Sequence, residues 1–253
     1  EFHRNPVTHL KVSLFVTCLV DQFFPEVGES VVRVLRQQGV QVDFPRSQTC
    51  CGQPAFNSGF RDLARAKAES LLKTFESSEY VVTPSGSCAS MLKVIYPEMF
   101  RDFPDLLERA QDLALRTYEF SQFLVQVLGL TDVGAAYHGK VTYHASCHLL
   151  REMGVSEDPL LLIKEVKGAD LVPLEGASEC CGFGGAFSVK YPEISTAILK
   201  NKLRNIEQTR ADTLVACDSG CLMHIAGAMS RSQMKVKPMH LAELLAKRGD
   251  DEG

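Results

Sequence analysis

The chain has no apolar run approaching the ~18 residues that a membrane-crossing helix needs. Its longest apolar segment near the start, Val12 to Val20, is broken by Ser13 and Thr17 and reads as a buried strand, not an export signal. It has no basic excess. The net charge is −4 and the pI is near 6.0, where a nucleic-acid binder would carry a strong basic patch. No Gly-x-Gly-x-x-Gly fingerprint follows the first strand, and "GFGGAF" lacks the Lys and Ser/Thr of a phosphate loop. Neither a nicotinamide nor a flavin site is indicated. Low-complexity, disordered and fibrous compositions are absent too. Glu1 and Phe2 stand where an initiator methionine would and read as a cloning remnant.

Two further absences concern cysteine. Disulfide frameworks belong mainly to short secreted domains. This chain has 253 residues, no visible export signal and nine cysteines, an odd number. The expectation is a reducing compartment where clustered thiols bind metal or do redox chemistry. There is also no Cys-x-x-Cys pair, the tight knuckle by which most zinc sites present two sulfurs to one ion.

What is present is a repeat. Cys18, Cys50-Cys51-Gly52 and Cys88 are followed by Cys147, Cys180-Cys181-Gly182 and Cys221. Cys147 lies 129 residues beyond Cys18, Cys180 lies 130 beyond Cys50, and Cys221 lies 133 beyond Cys88. "KVSLFVTC" and "KVTYHASC" each read as a strand that delivers a cysteine at its C-terminal end. Helical stretches, a short strand ("VQVDFP", "ADLVPL"), the Cys-Cys-Gly turn, a longer helix and a strand ("YVVTPS", "TLVACD") follow in both halves. The expected fold class is therefore α/β: two pseudo-repeated halves, each a small parallel sheet flanked by helices, with cysteines at the strand C-terminal edges. Residues 1–133 and 134–253 are the expected domains. Extra helices are expected in Arg101 to Leu130, and a linker in "TDVGAAYHG", Thr131 to Gly139. "MHLAELLAK" reads as an amphipathic terminal helix that packs on the core or a partner.

Four thiolates converging in a pocket can hold an iron–sulfur cluster or zinc. Adjacent cysteines diverge along an extended chain, so a Cys-Cys pair grips separate irons of a polynuclear cluster better than one small ion. Gly52, Gly182, Gly184 and Gly185 can take angles closed to other residues and let backbone N–H groups approach bound sulfur. His148 and His224 are expected to hydrogen-bond beside the cysteines, with His144 a weaker candidate. Arg151 could supply positive charge to a cluster or to a carboxylate. Cys217 reads as a small apolar strand residue.

The spacings Cys-x31-Cys-Cys-Gly-x35-Cys and Cys-x32-Cys-Cys-Gly-x38-Cys resemble the cysteine-rich "CCG" domain. That domain recurs in one of the subunits of heterodisulfide reductase and in iron–sulfur subunits of glycolate oxidase and anaerobic glycerol-3-phosphate dehydrogenase. "YHASCHLLRE", "ECCGFGGAFSVKYPEIS" and "DSGCLMHIAGA" resemble the lactate utilization branch of this family, over roughly Val12 to Leu245. The resemblance implies a cytoplasmic iron–sulfur protein. It would act with two partner proteins, B and C, in oxidising L-lactate to pyruvate, as an oxidoreductase subunit active only with them. Carried over residue by residue, the metal ligands would be Cys18, Cys50, Cys51 and Cys88, then Cys147, Cys180, Cys181 and Cys221. The fuller family motif ends in Cys-x-x-Cys and can hold a five-thiolate cluster. Here Ser85 and Asp218 stand at the first position of that final pair. Four cysteines remain in each half, enough for a conventional 4Fe-4S cube, one or two per chain, with zinc as the alternative at one site. A thiol–disulfide enzyme using the vicinal cysteines and a structural zinc protein are the competing functions.

Overall fold

The computed structural model describes residues 10–249; Glu1 and Phe2 lie outside them. In the first half the strands are β1 (Lys11–Leu14), β2 (Gln41–Asp43), β3 (Tyr80–Thr83) and β4 (Thr117–Glu119). They form one parallel sheet in the order β2-β1-β3-β4. The second half repeats this with β5 (Ala136–His144), β6 (Lys167–Leu171), β7 (Thr213–Ala216) and β8 (Lys237–His240), in the order β6-β5-β7-β8. Val12, Leu14, Val81 and Val82 of the first sheet are buried, as are Val141, Leu214, Val215 and Ala216 of the second. Such continuous apolar runs suit parallel strands covered by helices on both faces.

The strand order reverses between β1 and β3, and again between β5 and β7. A crevice opens at the C-terminal ends of the strands where that happens, and the cysteines gather there. Cys18 does not end a strand as expected: β1 stops at Leu14, and Cys18 is the first residue of the helix Cys18–Phe23.

Each sheet has a fourth strand that the sequence reading lacked. Arg101 to Leu130 contains β4 as well as helices, and Met239 and His240 belong to β8, ahead of the helix Leu241–Ala246. These strands are short, and β8 carries Pro238, which an edge strand tolerates because one side makes no ladder hydrogen bonds. The expected linker is also shorter, since Ala136 to Gly139 already belong to β5.

The helix Leu241–Ala246 packs against the helix Pro25–Gln37 of the other half. Leu241, Leu244 and Leu245 join Val31, Val34 and Leu35 in one buried cluster. Each fully buried side chain of this size is worth about 1.5–3 kcal/mol, so apolar burial holds the two halves together. The helix begins with a capping box between His240 and Glu243, which satisfies N–H groups that a buried helix start would leave unpaired.

Candidate metal centre

All eight expected ligands line a single cavity of about 190 Å³ between the two halves. In the first half, Cys18 and Cys50 approach to 3.8 Å, Sγ to Sγ, and Cys51 and Cys88 to 3.5 Å. In the second, Cys181 and Cys221 are 3.3 Å apart. The sets are graded in the same way. Cys51, Cys88, Cys181 and Cys221 are buried; Cys50, Cys147 and Cys180 are half-buried; Cys18 is exposed. Cys217 is fully buried under the Tyr143 hydroxyl at 3.6 Å and is not part of the lining.

The adjacent cysteines are held by turns that only glycine makes comfortably. Gly52 and Gly182 have φ of +83° and +89°. A side chain on Gly182 would stand 2.6 Å from the Ser195 carbonyl, because the turn lies directly against the helix Pro192–Thr209. Buttresses fix both turns: the Tyr96 hydroxyl donates to the Cys51 carbonyl at 2.8 Å, and Ser195 Oγ donates to the Gly182 carbonyl at 2.8 Å. Thr17, just before Cys18, sits at φ 72° and ψ 151°, rare for a β-branched residue. Backbone strain of this kind collects at functional sites.

Without metal, each set of thiols concentrates negative charge on one sulfur. Cys50 is hydrogen-bonded by the thiols of Cys18 and Cys51 and by the Gly52 N–H, which lower its pKa to about 2. Cys180 is lowered to about 2 by Cys147, Cys181 and the Gly182 N–H, the last at 3.3 Å. Donation to these sulfurs and burial push the thiols of Cys18, Cys51, Cys147 and Cys181 up. Each half thus presents one thiolate and further thiols that a cation would deprotonate.

The three histidines stand at different depths around the cavity. His148 lines the cavity, with Nδ1 3.7 Å from Cys147 Sγ. His224 does not reach the lining: its ring lies 5.7 Å from that of Phe183, tilted by 49°, and Nε2 meets Ser195 Oγ at 3.3 Å. The buried His144 comes closer than the sequence indicated. Its ring nitrogens lack hydrogen-bond partners of good geometry, and a ligand atom of His144 lies within 4.8 Å of those of Cys181 and Cys221. Burial lowers its pKa to about 3, leaving the neutral imidazole that ligates metal. Gly184 and Gly185 reach the cavity, whereas Gly52 and Gly182 act from behind it through their N–H groups. Arg151 is tied to the Ser178 carbonyl at 3.0 Å and props the loop ahead of Cys180. Tyr96 and Ser195 carried no sequence signal; His144 had one, in standing three residues before Cys147.

The donor set fits a thiolate-bound metal centre. Two small parallel sheets that aim four cysteines each into one cavity define a thiol-rich α/β protein built on an internal repeat. The cysteine-rich domain family, CCG, matches residues 12–93 and 141–226, and the chain belongs to that family. Lactate utilization protein A of Geobacillus kaustophilus (strain HTA426) is 50% identical over 239 residues, covering 94% of this chain and 100% of that protein. Lactate utilization protein A 2 of Bacillus cereus (strain 03BB102) is 49% identical over 238 residues, covering 94% of this chain and 98% of that protein. Among solved structures, glutamate racemase from Francisella tularensis subsp. tularensis SCHU S4 aligns with a TM-score of 0.37 and 11% identity, over 94% of this chain and 78% of that one. A likeness that slight bears on nothing here.

Proposed function

We propose that this chain is an iron–sulfur electron-transfer subunit in lactate utilization, built from two CCG domains that meet near residue 133. It would work in the cytoplasm with the partner proteins B and C of a complex that oxidises L-lactate to pyruvate. The observation that carries this reading is the convergence of Cys18, Cys50, Cys51 and Cys88, and of Cys147, Cys180, Cys181 and Cys221, on one cavity. The names of relatives near 50% identity point to the same process. Each set of four thiolates would hold a 4Fe-4S cluster, which supplies uptake and release of one electron at a time. Gly52 and Gly182 aim N–H groups at Cys50 and Cys180, and such donors tune a cluster's potential. The exposed Cys18 gives the first site an open edge toward a partner. The rest of the lining mixes the apolar Leu19, Pro54 and Phe183 with hydroxyl, amide and imidazole groups and the Asp218 carboxylate. Among the described residues no lysine or arginine lines the cavity to receive the carboxylate of lactate, and we assign substrate oxidation to the assembled complex.

One observation favours zinc in the second half. His144, Cys181 and Cys221 already stand with their ligand atoms within 4.8 Å of one another, and an imidazole beside two thiols is a donor set that zinc takes. A thiol–disulfide enzyme would instead use the low-pKa thiols of Cys50 and Cys180 directly. Metal and sulfide analysis of anaerobically purified protein, with electron paramagnetic resonance after reduction, separates the three. About four to eight irons with matching sulfide and a cluster signal support the proposal. Bound zinc in a colourless protein, or full activity in iron-free protein, rejects it.

A further inference from the structure

Ser85 and Asp218 stand where the fuller motif has another cysteine, and the fold brings them together. They are 133 residues apart in sequence, yet their backbones pair as an isolated antiparallel bridge across the two halves. The Ser85 hydroxyl donates to Asp218 Oδ2 at 3.0 Å. The N–H of Ser87 donates to the same oxygen at 3.0 Å. The other oxygen, Oδ1, accepts the N–H of Gly220 at 3.1 Å. Asp218 therefore caps the helix Ser219–Arg231 of its own half with one oxygen and holds the start of the helix Gly86–Ser90 of the other half with the second. Those helices carry Cys221 and Cys88. Ser85 completes the link by accepting the Cys88 N–H at 3.2 Å. Both side chains are buried, at 4% and 6% exposure, where hydrogen bonds to a charged group are worth about 1.5–3 kcal/mol.

Around this pair the halves touch at backbone distance. A side chain on Gly86 would stand 2.6 Å from the Leu149 Cβ, on the turn of helix that follows Cys147. His240 Nε2 donates to the Pro84 carbonyl at 3.0 Å, again from one half to the other. A carboxylate that served only its own helix would have no reason to take two donors from the far half.

We propose that Ser85 and Asp218 are positioning residues, forming a buried latch across the halves that sets the separation of the two cysteine sets. Hydrogen bonding at the place of a fifth thiolate joins the two sites instead of enlarging either one. The latch itself needs no metal; its effect on paired clusters rests on the function proposed above.

The test has two arms. The first measures amide exchange by NMR in the reduced, metal-free full-length protein. Asp218→Ala should speed exchange of both the Gly220 and Ser87 N–H by about tenfold or more. Asp218→Asn can keep its carbonyl on Gly220 but turns an amide donor toward Ser87, so it should release Ser87 alone. Ser85→Ala should release Cys88, whose N–H the Ser85 hydroxyl accepts, and leave Gly220 within about twofold, a loss smaller than one ordinary hydrogen bond. If Gly220 responds to Asp218→Ala while Ser87 does not, Asp218 is merely the cap of its own helix and the latch is refuted. The second arm records electron paramagnetic resonance of reduced, iron-loaded Ser85→Ala. A changed spin–spin splitting at unchanged iron content supports the latch, and an unchanged spectrum overturns its positioning role. Wild-type protein that takes up no iron would sink the proposed function while leaving the exchange result to judge the latch.

Discussion

Cys50 and Cys180 show how single residues prepare the site. Each gathers hydrogen bonds from neighbouring thiols and a glycine N–H, and so stays a thiolate far below the usual cysteine range. In metal-free protein their carboxymethylation rates should change by less than about threefold between pH 7 and pH 4, because thiolate is the reactive form. Mass mapping of the alkylated cysteines reads this out; a tenfold fall per pH unit at Cys50 and Cys180 would contradict it. Glu119 makes the opposite case. It is fully buried, and burial raises its pKa to about 7, above the ~4.3 of a free glutamate. Between those values the folded chain binds more protons than the unfolded one, so stability falls as pH rises through that window. Buried His240, lowered to about 4, acts on the acid side: the folded chain binds fewer protons, and stability is lost as pH falls below about 6.5. Glu119→Gln removes the first effect. Relative to wild type, denaturant unfolding should show it about 1–3 kcal/mol more favourable at pH 8 than at pH 5, whereas parallel pH profiles would show that Glu119 is not the group.

Among the elements, the turn after each cysteine pair is the most constrained. Gly182→Ala must hold a left-handed residue and push a side chain to 2.6 Å from the Ser195 carbonyl, costing about 2–4 kcal/mol in thermal or denaturant unfolding. Gly59→Ala, at φ +89° with nothing within 4 Å, in a helix end closed by the Phe60 N–H on the Ala55 carbonyl, should cost only about 1–2 kcal/mol. Equal losses would show that the close approach does not matter. These turns were legible in the sequence because a Cys-Cys-Gly after an apolar strand, met twice at a constant offset, leaves few other placements. The central strands were legible for a related reason, since burial on both faces makes them continuously apolar. β4 and β8 were not, because three- or four-residue edge strands with polar or proline positions carry no pattern. His224 shares a helix face with Cys221 through its i+3 spacing, and it meets the cysteine turn indirectly, through Ser195 Oγ at 3.3 Å, without entering the cavity lining. His144 was underweighted because sequence does not say which face of β5 turns toward the cysteines.

At the scale of the whole molecule, an internal repeat has been turned inward. The halves share a core through the helices Pro25–Gln37 and Leu241–Ala246, and their two cysteine sets face each other instead of opposite solvents. A relay of the proposed kind would benefit from that arrangement, because two redox centres in one cavity would exchange electrons over a short path, with the exposed Cys18 at its open edge. None of the described helices is long and apolar enough to cross a membrane. Chelation of the metal should loosen both halves together, since they share one core. The most direct test counts iron per chain in anaerobically purified wild type and in two half-site variants, Cys50→Ser/Cys51→Ser and Cys180→Ser/Cys181→Ser. Each variant should lose about half of the wild-type iron and sulfide, and the two combined should lose nearly all of it. Iron that survives the combined substitution, or is absent from wild type, would contradict the account.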